Sequence, residues 1–145
     1  MSNKIKNLNP KKLLDSGEKI IFTGSYDTTK RNVQNNFSTL PFDVELNPDG
    51  YNVRTVQWYY LNDKTNPNTT LIYETYIFSS FSPCGKQLGS ITINGFYPDS
   101  GSGGITTSSI YKFTVLGVSG IYNKVTAVII DFSSPVRKIY FIQKK

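Results

Sequence analysis

Gly117-Val118-Ser119-Gly120-Ile121-Tyr122 stands between two runs rich in β-branched residues, and Asp131-Phe132-Ser133-Ser134-Pro135-Val136-Arg137-Lys138-Ile139-Tyr140-Phe141 follows closely. Two glycines three apart, then a β-branched residue and an aromatic, make a turn that feeds straight into a strand. The same pattern continues toward the N-terminus. Alternating apolar and polar residues are cut at short intervals by Gly, Pro, Asn and Asp, which is how antiparallel strands and their connections are written.

Eight strands are expected: Glu18 to Asp27, Leu40 to Leu46, Tyr51 to Leu61, Thr69 to Ser80, Gln87 to Tyr97, Ser109 to Val118, Tyr122 to Phe132 and Val136 to Gln143. Pro41 suits the start or edge of the second. Asn47-Pro48-Asp49-Gly50 is a turn, since Pro presets φ and Asp-Gly tolerates a positive one. Thr28 to Ser38 and Asn62 to Asn68 read as polar loops, and Pro98 to Gly104 as a Gly/Ser loop. Asn9 to Gly17 predicts one short helix, with Asn9 as cap, Pro10 at the first helical position and Gly17 as stop.

Hairpin-length connections, and no helix long enough for a crossover, make the chain all-β. An eight-stranded antiparallel up-and-down barrel is expected, because closure removes exposed edges. A β-sandwich is the competing arrangement. Residues 1–17 form a basic N-terminal arm with the short helix, and 18–145 a single barrel domain. Tyr122 to Phe132 is apolar on both faces, so a filled or ligand-lined lumen and an exterior packed on a partner are expected there.

The 145 residues carry a formal charge of +6, but residues 1 to 19 hold five lysines against Asp15 and Glu18 and the chain ends in Lys144-Lys145, which leaves +1 for residues 20 to 143. The folded body is nearly neutral. A nucleic-acid reader carries its basic stripe on the fold, so contact with nucleic acid is expected only through the tails. Cys84 is the single cysteine and excludes an intrachain disulfide. With no histidine, Ser-His-Asp and Cys-His catalysis and His-bearing zinc sites are excluded. Neither a cofactor nor a metal is called for. The polar residues after Met1 lead to the expectation of an intracellular protein, or of a virion component were the source viral, and no membrane span is foreseen.

Several segments in order resemble the allene oxide cyclase and dirigent barrels. The Gly117–Tyr122 turn is similar to that family's Gly-Gly-Ser/Thr-Gly-Ile-Phe. Tyr73-Glu74-Thr75-Tyr76-Ile77-Phe78 and Gly89-Ser90-Ile91-Thr92-Ile93-Asn94-Gly95-Phe96-Tyr97 resemble two successive strands, and Pro135 to Phe141 the closing one. The likeness runs from about residue 71 to the C-terminus. It implies a homo-oligomer, a trimer in the cyclases, whose lumen binds and shapes a lipophilic molecule. Carried over position by position, it implies Asp27 after Tyr26 as the catalytic carboxylate, and Phe42, Asn52 and Tyr97 as ligand-binding residues; Glu74 joins the ligand-binding set as a lumenal group, from its own place on an apolar strand face. The chain departs from the cyclases at Thr29 and Val44, which stand where asparagines would hold a water for the epoxide oxygen, and at Asn52, which replaces a pocket cysteine. An oriented donor cannot come from Val44. The implied isomerase (cyclase) activity therefore gives way to binding or steering of a lipophilic small molecule. The alternative is a non-enzymatic oligomerisation protein, a structural component of a larger assembly such as a virion.

Single residues carry bland readings beside the sharp ones. Asp27 is either a lumenal acid or a strand-end residue turning with Thr28 and Thr29. Glu74 shares a face with Ile72, Tyr76 and Phe78, and an ion pair with Arg54 or Lys112 is expected. Trp58, Tyr59 and Tyr60 must alternate between faces, which suits core and oligomer contacts better than a base-stacking platform.

Overall fold

The computed structural model describes residues 9–30, 32–62, 70–98 and 110–145. Their strands are β1 (Glu18–Asp27), β2 (Asn32–Gln34), β3 (Phe37–Pro41), β4 (Asp43–Val44), β5 (Tyr51–Asn62), β6 (Thr70–Phe81), β7 (Gln87–Pro98), β8 (Ile110–Gly120), β9 (Ala127–Asp131) and β10 (Val136–Lys144). All pair antiparallel in one curled sheet, ordered β2-β3-β5-β6-β7-β8-β9-β10-β1-β4. The chain is all-β, as its alternation requires. The expected eight-stranded closed barrel is corrected to a ten-stranded half-barrel whose ladder ends at β2 and β4.

Two local events account for the extra strands. The loop expected over Thr28 to Ser38 contains a tight hairpin: Asn35 and Asn36 take positive φ angles of 49° and 59°, the twist that a two-residue turn needs, and so pair β2 with β3. The strand expected over Leu40 to Leu46 breaks at Phe42, because its two halves bond different neighbours. The Phe42 amide donates to the Asn52 carbonyl at 3.0 Å, continuing the ladder with β5, and the Glu45 amide donates to the Thr23 carbonyl at 3.1 Å, on β1. Gly24 makes the second pairing possible, since a Cβ there would stand 2.6 Å from the Asp43 carbonyl oxygen. One segment thus bonds strands from both sides of the curl.

The short N-terminal helix is corrected to a single 3-10 turn, Pro10–Leu13, although Asn9 caps it by accepting from the Lys11 amide at 3.0 Å and Pro10 opens it. Its continuation is claimed by tertiary contacts. Lys112 Nζ donates to the Leu13 carbonyl at 3.1 Å and pairs with Asp15 at 3.2 Å and Glu18 at 2.6 Å. The segment then lies over the outside of β9, where Leu14 joins Ile20, Ile110 and Tyr140 around Ala127, Ile129 and Ile142. The chain's own N-terminal segment, in place of the expected partner, therefore covers the second apolar face seen in the sequence. β9 itself begins at Ala127, not Tyr122, because residues 121–124 turn first.

The Gly117–Gly120 stretch forms the end of β8 and its exit. Gly120 has φ +58°, and a Cβ there would stand 1.9 Å from the Leu88 carbonyl oxygen, so only glycine fits this turn against β7. Register shifts at Ile20/Phe22, Ser80/Phe81 and Thr92/Ile93 bend the strands and help the sheet curl. Toward the β6–β7 turn the inner face is filled with rings: Phe22 stacks on Phe141 at 4.6 Å, Phe42 meets Phe78 edge-on at 5.1 Å, and Tyr122 lies 5.7 Å from Phe141. Tyr122 shares a 2.6 Å hydrogen bond with Ser80 there. Among the described residues no helix is long and apolar enough to cross a membrane.

Candidate functional site

The other half of the inner face is where charge is buried. Glu74 projects inward from β6 with Ile72, Tyr76 and Phe78, as strand alternation demands, and is 5% exposed. Register places Trp58 of β5 and Gly95 of β7 directly beside it. Gly95 leaves room for the Phe113 ring, which a Cβ would meet at 2.8 Å. The Tyr76 hydroxyl donates to Glu74 Oε1 at 2.6 Å. Burial pushes the Glu74 carboxyl up, against the hydrogen bonds and the nearby guanidinium groups of Arg54 and Arg137 that favour its charged form.

Aromatic and cationic groups from four other strands close around this acid. Arg54 enters from β5, donates to Ser38 Oγ at 3.0 Å, and lies over the rings of Tyr26 at 4.6 Å and Tyr76 at 5.6 Å. Arg137 enters from β10, donates to the carbonyls of Phe132 (3.0 Å) and Ser134, and lies 5.4 Å over the Phe132 ring. Tyr97 of β7 stacks on Tyr111 at 5.1 Å and packs on Phe132 at the same distance. Burial raises all three phenols: Tyr26 is pushed up to about 12, and Tyr76 and Tyr97 are raised by burial and by the Glu74 charge beside them. They remain neutral donors.

Two buried guanidinium donors, Arg54 Nε and Arg137 Nε, are left without a hydrogen-bond partner among the described residues, and the Tyr97 hydroxyl, also unpaired at ordinary hydrogen-bond geometry, lies close enough to Glu74 to favour its charged form. Buried polar groups are nearly always paired, and an unpaired one costs roughly 1–3 kcal/mol. All three belong to residues that bear on the Glu74 carboxyl. The arrangement offers donors and positive charge to one acceptor-rich group, within walls of aromatic carbon. It contains no nucleophile paired with a base, and the described residues contain no group of His, Cys, Asp and Glu able to hold a metal.

Of the site residues expected from the sequence, Glu74 and Tyr97 meet in this cluster, with Arg54 and Trp58 beside them, while Asp27, Phe42 and Asn52 lie elsewhere. Asp27 ends β1 on the outward face and accepts from the Thr29 hydroxyl at 2.7 Å and the Thr29 amide at 3.0 Å. Those two bonds hold its carboxyl below the usual range, which is the signature of a turn and not of a lumenal acid. Tyr26, its neighbour, is the residue that points inward. Phe42 packs in the aromatic half. Asn52 is pinned to Asn47, accepting from its Nδ2 at 2.9 Å and donating to its carbonyl at 3.1 Å. Both border an outer groove of about 620 Å³ beside the segment that passes from β5 to β1. The ion pair expected for Glu74 with Arg54 or Lys112 is replaced by the Tyr76 hydrogen bond, and Lys112 serves Asp15 and Glu18. Asp131 bonds Ser133 at its strand end, and Cys84 is exposed beside Ser82. Ser100 to Gly104 and the lysines of residues 1–8 lie outside the described residues.

Sequence reasoning passed over the inward roles of Tyr26 and Arg137, and cast Arg54 as an ion-pair partner of Glu74 where it lies over tyrosine rings. The available signal was parity: Arg54 alternates with Asn52 and Val56, Arg137 with Ile139 and Phe141, and each is a cation in register with a buried row. Comparison with protein-family models, curated proteins and solved structures finds no match.

Proposed function

We propose that this half-barrel binds a small, largely apolar molecule bearing an acceptor oxygen, such as a fatty acid or a phenol, at the Glu74 end of its inner face. Two buried, unpartnered guanidinium donors and the Tyr97 hydroxyl, on residues that all act on the one buried Glu74 carboxyl, carry this reading. A carboxylate or phenolic oxygen would satisfy Tyr97 and the two Nε atoms, while Tyr111, Phe132 and Trp58 give the apolar body its contacts. The site binds and orients; nothing in it supplies the donor-held water that cyclase chemistry would take from asparagines, since Val44 is buried in the core. The resemblance to allene oxide cyclase and dirigent barrels is consistent with a steering role and is part of the proposal.

Trp58 is the single tryptophan and stands beside Glu74 on the inner face, so it reports the site directly. Titration with an eighteen-carbon fatty acid and with a methoxyphenol should give saturable quenching for at least one of them. Tyr97→Phe should weaken that ligand about tenfold, the effect of one buried hydrogen bond worth roughly 1.4 kcal/mol. Unchanged Trp58 emission with both probes, together with no gain in thermal stability, would refute ligand binding.

A further inference from the structure

Among the described residues the buried charged side chains are Arg54, Arg137 and Glu74. A guanidinium keeps its charge even when buried, so the inner face holds two permanent positive charges against one carboxyl that can lose or gain a proton. The ion pairs among the described residues are those of Lys112, so neither buried arginine has a carboxylate at ion-pair distance. Arg54 Nη2 donates to Ser38 Oγ and Arg137 Nη1 to the carbonyls of Phe132 and Ser134, whereas both Nε atoms are unpaired. Contacts with the Tyr26, Tyr76 and Phe132 rings offset part of the cost of burying the two cations.

This charge excess selects among acceptor oxygens. A neutral alcohol or phenol would leave both cations without a counter-charge. An anionic oxygen bonded to either Nε would lie nearer to that cation than the Glu74 carboxyl does. The Tyr97 hydroxyl, which acts on Glu74, has one proton and cannot donate to Glu74 and to a ligand at once. Two anionic oxygens that compete for one donor in a buried site do not both stay ionised.

We infer that the site proposed above takes its ligand as an anion together with one proton from solvent, which Glu74 holds. The proton sits on the Glu74 oxygen that does not accept from Tyr76 and is donated to the ligand's anionic oxygen; no bond of the ligand is made or broken. The inference rests on the binding reading and adds to it a selection by charge and a dependence on pH. Burial already pushes the Glu74 carboxyl up. The groups that face it are Tyr26 from β1, Arg54 and Trp58 from β5, Tyr76 beside it on β6, Tyr97 from β7, Phe113 from β8 and Arg137 from β10. Tyr26, Tyr76 and Tyr97 are raised and the guanidinium groups are fixed, so of this set the carboxyl alone titrates near neutrality. The chain has no histidine, and Cys84 is exposed in the β6–β7 turn, away from the site.

Trp58 titrations of the full chain from about pH 5 to about pH 9 test it, with decane-1-sulfonate, which stays ionised throughout, and decan-1-ol as its neutral counterpart. For the wild type the sulfonate dissociation constant should rise by up to about tenfold per pH unit once Glu74 ionises, and the alcohol should show no such trend. Glu74→Gln should bind the sulfonate with a constant that no longer varies with pH and that is about tenfold or more below the wild-type value near the alkaline end. Calorimetry of the wild type in buffers of different ionisation heat should count about one proton taken up per sulfonate bound there, a readout that stands if the variant does not fold. A sulfonate constant independent of pH in the wild type, a pH trend that survives Glu74→Gln, or a site that takes the alcohol and refuses the sulfonate overturns the inference and leaves the binding reading intact. Silence of Trp58 toward both probes, and toward the fatty acid and the methoxyphenol, removes the binding reading and the inference with it.

Discussion

Glu74→Gln should make the protein more stable, and increasingly so as the pH rises. Glutamine keeps the length of the side chain and a carbonyl to accept the Tyr76 hydroxyl, which stands 2.6 Å from Oε1, so what changes is the capacity to ionise. A carboxyl raised by burial binds its proton more tightly in the native than in the unfolded chain. Its contribution is therefore complete below the unfolded pKa, near 4.5, and is lost as the pH climbs through the folded value. Each unit by which the folded value exceeds the unfolded one removes about 1.4 kcal/mol above that window. For a chain of 145 residues, with an unfolding entropy of roughly 0.3 kcal/mol/K, that is about 4–5 °C in Tm. Calorimetric melts of both proteins from about pH 4 to about pH 8 read the difference directly, and comparing the two cancels the other carboxylates. The curves should nearly coincide at the acid end and separate toward neutrality, with the variant higher. A constant gap would mean that the hydrogen bonds and the Arg54 and Arg137 charges cancel the effect of burial, and a gap that moves in favour of the wild type as the pH rises would mean that they hold Glu74 ionised; either would refute burial as the dominant influence on it.

Two other substitutions probe the turns. Gly120→Ala combines a positive φ with a Cβ 1.9 Å from the Leu88 carbonyl oxygen. Relief requires moving β7 or β8, so a loss of about 3 kcal/mol or more is expected by urea unfolding, and a loss under about 1 kcal/mol would show that the turn relaxes freely. Asp27→Asn removes a charge from an outward turn while keeping an acceptor for Thr29, so Trp58 titrations should match the wild type; a lost ligand response would return Asp27 to the site.

The strands that alternation located well, such as β1, β5, β6, β7 and β10, are long runs whose period of two is visible without knowing any neighbour. The misplaced elements are those that a neighbour decides. Asn35-Asn36 lacks the Asn-Gly pair that announces a two-residue hairpin, so β2 was hidden in a polar stretch. Phe42 divides a continuous-looking strand because β5 takes one half and β1 the other. The N-terminal helix has its cap and its proline, but Lys112 reaches 99 positions back to take the Leu13 carbonyl where the next turn would form. Of the expected Gly117–Gly120 turn only Gly120 was legible for a local reason, since its positive φ against a strand demands glycine, whereas Gly117 continues β8.

The candidate site divides along the same line. That Glu74 lies in register with an apolar row, and that Tyr97 and Phe78 lie on buried faces, was determined by the sequence alone, because a strand presents alternate residues to one side whatever it pairs with. That Glu74 meets Tyr26, Arg54, Tyr97 and Arg137, while Asp27 turns outward and Asn52 is spent on Asn47, was decided only by the tertiary structure. Those residues come from five strands of one sheet, and pairing register together with curl, rather than sequence spacing, sets which inward side chains reach each other.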